Sequence, residues 1–428
     1  MGLHSRLAAR AEAGRPVRVG VIGAGKFATM FLAQAHRVPG LEVAALADLD
    51  VARARAALEA AGHPAVRLHG DGLDLCGEDG IDVVVEATGD PVAGTRHALA
   101  AIGAGRHLVM VNVEADALVG PELARRARAA GLVYAMAYGD QPALIAELVD
   151  WAGVAGFPVV AAGKGTKYLP AYHGANPDTV WAGYGIAPER AAESGMNPKM
   201  FCSFLDGTKS AIEMAALANA TGLGVPRDGL AFPPAGTRDL ATVLRPREEG
   251  GVLERRGTVE VVSSLRRDGA PVPDDLRWGV FVVVEAPSDY ARACFADYGL
   301  ATDPTGRYAA LWRPAHLIGL ELGVSVAKAA LLGEATGGAL SWRGDVAAVA
   351  KRDLAQGETL DGEGGFCVWG RLVAASRARA ERLLPIGLAA RVPLVRPVPE
   401  GRILTLDDVG PLPPSEALTL REAMLRAT

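Results

Sequence analysis

The sequence is short of several things at once. It has four cysteines (Cys76, Cys202, Cys294 and Cys367), far apart and without a C-x-x-C pair, so neither a disulfide framework nor a structural zinc site is expected. It has no excess of positive charge, with Lys+Arg 44 against Asp+Glu 49 and a net charge of −5, which gives no electrostatic case for nucleic acid. Long apolar runs are missing too. The most apolar helical stretch, 316–333, is interrupted by His316, Glu321 and Lys328, and no segment reaches the roughly 18 uncharged apolar residues of a membrane span. The first 20 residues hold no apolar core of signal-peptide length. These absences predict a cytoplasmic chain with no membrane partner and with buried, reduced thiols.

What is present is a 428-residue chain, 50% hydrophobic and 22% charged, long enough for two or three domains that each bury a core. Residues 17–150 alternate short apolar runs with helical patterns, the signature of a parallel sheet. Strands are expected at 17–23, 41–48, 81–88, 107–112 and 132–138, with a helix between each pair. From 151 the texture changes to a strand at 157–169, a Gly- and Pro-rich stretch from 173, a long helix from 206, and strand-like runs at 258–264 and 278–286. The fold class expected is α/β. It comprises an N-terminal Rossmann domain (1–150), a central α+β catalytic and dimerisation domain (151–341) and a C-terminal β-rich domain (342–428), with the helix at 315–335 packing back onto the first domain.

The sharpest motif is G-x-G-x-x-A at 23–28, placed directly after a strand and opening a helix. Gly23 permits the tight turn, Gly25 lets a pyrophosphate approach the backbone, and Ala28 allows close helix–strand packing. Lys26 and Phe27 complete the turn, and the helix N-terminus offers free N–H groups to phosphate. Asp48 stands at the end of the next strand, where a ribose-binding carboxylate belongs. The cofactor expected is therefore NAD(P)H. Asp48 repels a 2′-phosphate and favours NAD, while Lys26, Arg53 or Arg55 can offset it. Thr88, Gly89, Asn112 and Glu114 lie at the carboxyl ends of the third and fourth strands, the edge where ligands bind in such sheets. The alternative for Glu114 is an acid answering a helix dipole. His97 and His107 read as structural.

Hydride chemistry at a carbinol carbon needs a group that polarises the oxygen and handles its proton, and a lysine can do both. Lys164 and Lys167 lie at the end of the strand at 157–169; Asp206, Lys209 and Glu213 lie on or before the long helix, with Lys209 and Glu213 sharing a face. An ordinary surface pair at that spacing is the plainer alternative. Asn197 and Lys199 crowd into the same stretch, Thr208 and Ser210 add hydroxyls, and His173 beside Tyr172 is a candidate proton shuttle. Asp140, Asp206 and Glu213 are the acids available to a divalent metal.

Together, 23-GAGKFA, 86-EATG, 165-GTKYL and 206-DGTKSAIEMA resemble the homoserine-dehydrogenase-like oxidoreductases, and 348-AVAKRDLAQGETL and 394-LVRPVPEGRILTLDDV resemble a SAF domain, a small β-clip fold. Proteins that join the two resemble the 1-deoxy-D-xylulose 5-phosphate reductoisomerase-like family. The resemblance implies an NAD(P)-dependent oxidoreductase, a homodimer or higher oligomer, and a reductoisomerase acting on an anionic polyol such as that sugar phosphate or a sugar acid. Two alternatives stand beside it: a homoserine-type dehydrogenase, and a non-catalytic carbohydrate-binding, redox-sensing protein. The chain departs from homoserine dehydrogenases in having Glu114 where they carry lysine, and Asp206 three rather than four residues before Lys209. Lys164, Lys167, Lys199 and Lys209 are expected to form a cationic pocket suited to an anion.

Overall fold

A computed structural model describes residues 2–62 and 66–426, which divide into two units. The first unit comprises 1–147, 316–340 and 415–428; the second comprises 148–315 and 341–414.

In the first unit, α1 (Leu3–Glu12) precedes β1 (Val17–Ile22), α2 (Lys26–Ala35), β2 (Leu41–Ala47), α3 (Val51–Ala60), β3 (Arg67–His69), α4 (Gly72–Gly77), β4 (Val83–Glu86), α5 (Pro91–Gly103), β5 (His107–Met110), α6 (Val113–Ala129), β6 (Tyr134–Met136) and α7 (Gln141–Val154), the last running into the second unit. The strands form one parallel six-stranded sheet in the order β3-β2-β1-β4-β5-β6, the doubly wound order of dinucleotide-binding folds. Val83, Val84 and Val85 are wholly buried, as are Leu108, Val109 and Met110, because helices cover both faces. The helices Gly323–Leu332 and Glu416–Arg426 belong to this unit.

The sequence reading missed β3, whose Arg-Leu-His has no apolar run and lies at the sheet edge. The helix α6 begins at Val113 because Asn112 caps it by accepting the Ala115 N–H at 3.0 Å, and Pro121 sits inside it.

The second unit is built on a mixed five-stranded sheet of β7 (Val159–Thr166), β8 (Thr258–Ser263), β9 (Val280–Glu285), β10 (Ala301–Thr302) and β11 (Tyr308–Arg313), in the order β10-β11-β9-β7-β8. β7 runs parallel to β8 and antiparallel to β9. The Gly- and Pro-rich stretch folds into α8 (Val180–Tyr184), α9 (Pro188–Glu193) and α10 (Pro198–Leu205), and leads to the almost wholly buried α11 (Thr208–Thr221). Residues 341–414 add two antiparallel pairs: β12 (Gly344–Ala350) with β14 (Val368–Ala374), and β13 (Thr359–Asp361) with β15 (Ala390–Pro393). They fold with 148–315 in the same unit, so the boundary expected at 342 is not a boundary between units. Asn219 of α11 joins the segments: its side-chain oxygen accepts the N–H groups of Arg343 and Gly344 at 2.7 and 2.9 Å. Among the described residues, no helix is long and apolar enough to cross a membrane.

Candidate functional site

The first unit presents a cradle at the carboxyl ends of β1, β4 and β5. Gly23 has φ +100°, and a Cβ there would stand 2.7 Å from the Ala87 carbonyl oxygen, so the turn requires glycine. Gly25, the N-cap of α2, faces open space: a Cβ would meet nothing within 4 Å. No side chain caps α2 and its first turn holds no acid, so its N–H groups and positive dipole end are left for an anion. Lys26 is exposed, Phe27 half-buried and Ala28 buried against the sheet.

Asp48 closes one side. Its Oδ2 accepts the Ala24 N–H at 2.7 Å, its Oδ1 accepts the Asp50 N–H at 2.8 Å, and Arg53 lies across both oxygens at 2.7 and 2.9 Å. Burial opposes the charge, but Arg53 and the backbone donors outweigh it and hold the carboxyl below its usual range. Arg53 thus neutralises the local repulsion that the sequence assigned to Asp48.

On the other side, Glu86 ends β4 and is fully buried. Its Oε1 accepts both the Thr88 hydroxyl (2.5 Å) and the Thr88 N–H (3.3 Å), and lies 3.2 Å from His97 Nδ1. Asn112 donates to the Asp90 carbonyl at 2.8 Å and to the Thr88 hydroxyl at 3.4 Å. The exposed Thr88–Gly89 turn is therefore held from below by Glu86, which the sequence reading passed over. Glu114 lies in the first turn of α6, where it answers the helix dipole. His107 accepts the Val133 N–H at 3.1 Å through Nδ1. The residues present fit a dinucleotide: a glycine turn, an open helix N-terminus, and a carboxylate with an arginine at the ribose position.

The second unit gathers a different chemistry around β7 and α11. Lys164, on β7, makes a short, buried ion pair with Glu213 of α11. Lys209 stands one turn before Glu213 on the same helix and is half-buried.

Asp206, expected to serve catalysis or a metal, is occupied by structure. Its Oδ1 accepts the Thr208 N–H at 2.9 Å, and its Oδ2 pairs with Lys351, the residue after β12, at 2.8 Å, both side chains buried. Lys351 also donates to the carbonyls of Ala175 (2.6 Å) and Gly365 (2.8 Å). Cys202 lies 3.5 Å from the same ammonium, its thiol pushed up to about 12 by burial and by Asp206.

His173 Nδ1 lies 2.7 Å from the Asp206 carbonyl, so that nitrogen carries the proton and Nε2 accepts the Tyr168 hydroxyl at 2.8 Å. Burial lowers the His173 pKa, and the ring stacks on Trp369 with centroids 3.7 Å apart.

The expected four-lysine pocket is not what the side chains make. Lys164 is neutralised by Glu213, Lys199 donates to the Asp361 carbonyl at 2.9 Å, and Lys167 donates to the Gly183 carbonyl at 2.6 Å. Asn197 caps α10, and the Thr208 hydroxyl accepts the Gly370 N–H at 2.8 Å, so neither is presented to a ligand. Ser210 is buried. The acids proposed for a metal do not fit one: Asp206 is taken by Lys351, Glu213 by Lys164, and Asp140 Oδ1 accepts the Gln141 N–H at 2.9 Å in the first unit. Among the described residues no group of three or more His, Cys, Asp or Glu side chains is placed to hold a metal.

Comparison with known proteins agrees with the first unit's geometry. Residues 17–111 match the model of an oxidoreductase family with an NAD-binding Rossmann fold, and residues 139–322 match that of the catalytic domain of oxidoreductase DRL. An inositol 2-dehydrogenase of Rubrobacter xylanophilus is 40% identical over 76 residues, which are 18% of this chain and 21% of that protein. The match thus spans about a fifth of the curated relative's length. Among solved structures, a myo-inositol dehydrogenase from Lactobacillus casei in complex with NAD(H) and myo-inositol is 17% identical, covering 63% of this chain and 71% of that one with TM-score 0.36. A biliverdin reductase from Synechocystis in complex with biliverdin and NADP+ is 20% identical, covering 36% and 48% with TM-score 0.28. The chain carries an oxidoreductase-type, NAD-binding Rossmann domain. None of these matches is to a homoserine dehydrogenase or a SAF domain.

Proposed function

We propose that the protein is an NAD(P)-dependent oxidoreductase acting at a CH–OH carbon of an anionic polyol, such as a sugar phosphate or sugar acid. The observation that carries this reading is the cradle of Gly23, Gly25 and the uncapped α2, with Asp48 and Arg53 at the ribose position. The matched oxidoreductase catalytic segment, 139–322, supports it and contains Lys164, Lys167, Lys209 and Glu213.

A nicotinamide dinucleotide bound in the cradle would supply or accept the hydride. The Lys164 ammonium, held by Glu213, is the group assigned to the substrate oxygen: it gives a proton as the carbonyl is reduced to the alcohol, and takes it back in oxidation. Glu213 holds that ammonium in place through the buried ion pair. Lys209, one turn away, orients the polyol. Where the substrate is 1-deoxy-D-xylulose 5-phosphate, reduction would follow an isomerisation; the side chains offer no metal cluster for that step among the described residues.

The test is oxidation of NADH and NADPH, followed at the nicotinamide absorbance, against keto-sugar phosphates, keto-sugar acids, inosose and aspartate semialdehyde. Turnover of an anionic keto-polyol is expected, falling on the order of 10²–10⁴-fold in Glu213→Gln. Turnover confined to inosose or the semialdehyde, or unchanged in Glu213→Gln, refutes the assignment.

A further inference from the structure

Sequence alone groups Lys167 with three other lysines in one pocket. Its real companion is Arg277, which lies 110 residues on and which no motif marks. The sheet brings them together. β7 and β9 are antiparallel partners with Lys164 opposite Val280, so three residues beyond Lys164 the chain stands across from three residues before Val280. The approach is tight: Gly165 N–H donates to the Gly279 carbonyl at 3.1 Å, and a Cβ on Gly165 would lie 1.9 Å from the Leu276 carbonyl oxygen.

Both cations converge on one ring. Lys167 Nζ is 5.8 Å and the Arg277 guanidinium carbon 5.9 Å from the centroid of Tyr184, and Arg277 also lies 4.8 Å from the ring of Trp278. Among the described residues neither head group has a carboxylate partner; Asp275 bonds only the backbone N–H of Arg277. Lys167 spends one donor on the Gly183 carbonyl, leaving the other two. Burial and the field of Arg277 both lower the Lys167 pKa, as expected of two like charges crowded without a counter-ion. Burial also raises the Tyr172 pKa against the opposing field of Arg277.

Two unneutralised cations framed by aromatic rings are unfavourable alone and favourable around a doubly charged anion. An ammonium and a guanidinium supply charge-assisted hydrogen bonds, the guanidinium in a fixed fork that matches phosphate. We infer that Lys167 and Arg277 form the seat for the phosphate group of a phosphate-monoester substrate, with Tyr184 and Trp278 as its walls. This rests on the proposed reading that the substrate is an anionic polyol, and narrows it from carboxylate or phosphate to phosphate.

Inorganic phosphate binding, by calorimetry with NADH present to fill the dinucleotide cradle, tests the seat without turnover. Wild type should bind phosphate saturably and more tightly than acetate. Arg277→Gln and Lys167→Gln should each weaken it at least tenfold while leaving NADH affinity unchanged. Each should also melt at or above the wild-type temperature in phosphate-free buffer, because repulsion is relieved, which separates a lost seat from a lost fold. Phosphate binding that survives Arg277→Gln, or acetate bound as tightly as phosphate, overturns the inference even if the protein turns over a sugar acid. Phosphate binding lost in both variants upholds it even if the proposed CH–OH chemistry fails.

Discussion

Replacing Lys351 by methionine tests whether Asp206 is architecture or catalyst. The Lys351 ammonium directs its three donors to the Asp206 carboxylate and to the carbonyls of Ala175 and Gly365, at 2.8, 2.6 and 2.8 Å. Methionine fills much of the same volume, so little of the loss is a cavity. What remains is a buried carboxylate without its counter-charge, which costs about 3–5 kcal/mol, and two carbonyls without a donor, each worth about 1–3 kcal/mol before relaxation. Allowing for overlap, about 5 kcal/mol is expected, a large share of the stability of a typical domain. Asp206→Asn keeps an acceptor for the Thr208 N–H and removes the buried negative charge, so it should cost less. The double variant should be more stable than Lys351→Met alone, with a coupling of roughly 2 kcal/mol or more. Urea unfolding followed by fluorescence of the six tryptophans gives all four corners of the cycle. A Lys351→Met cost below about 1 kcal/mol, or strictly additive variants, would refute the reasoning. So would an Asp206→Asn protein of native stability that has lost turnover.

Three further outcomes follow from the first unit. Gly23→Ala should destabilise the fold, since its Cβ meets the Ala87 carbonyl at 2.7 Å from a φ of +100°, whereas Gly25→Val should melt like wild type and lose NADH binding at least tenfold by fluorescence titration; equal melting temperatures for the two would contradict the cradle. Arg53→Ala exposes the Asp48 charge to the cofactor, so NADPH affinity should fall far more than NADH affinity, and an equal loss for both would exclude that role. Asp116 is buried, its Oδ1 accepts the Tyr134 hydroxyl at 2.7 Å, and burial pushes its pKa up from 3.8 to about 6 despite that bond. The native state therefore binds the extra proton, and stability present below pH ~4 is lost as pH rises through ~6, by up to about 3 kcal/mol. Asp116→Asn should flatten that slope in urea titrations at pH 4 and pH 7.5; an unchanged slope would place the proton elsewhere.

The sequence made the first unit readable because its information there is local. Val83–Val85 and Leu108–Met110 are buried on both faces, and burial on both faces is what a short continuous apolar run encodes. Gly23, Gly25 and Asp48 are legible for a related reason: a turn that must approach phosphate excludes side chains, and a strand end fixes where the next carboxylate falls. In the second unit the deciding contacts are remote. Helical spacing points Glu213 toward Lys209, one turn away, yet its buried partner in the fold is Lys164, 49 residues earlier on β7. Asp206 sat among lysines in the sequence, and the cation that holds it, Lys351, lies in a segment that the texture of the chain assigned to another domain. Arg277 carries no motif and becomes visible only through the register of β7 against β9. Periodicity reports which face of an element is apolar, and it is blind to which elements become neighbours. A charged residue in a central strand such as β7 is therefore the useful signal. Its burial demands a counter-charge from a neighbouring element, so Lys164 at such a position already points to a distant acid before the structure names Glu213.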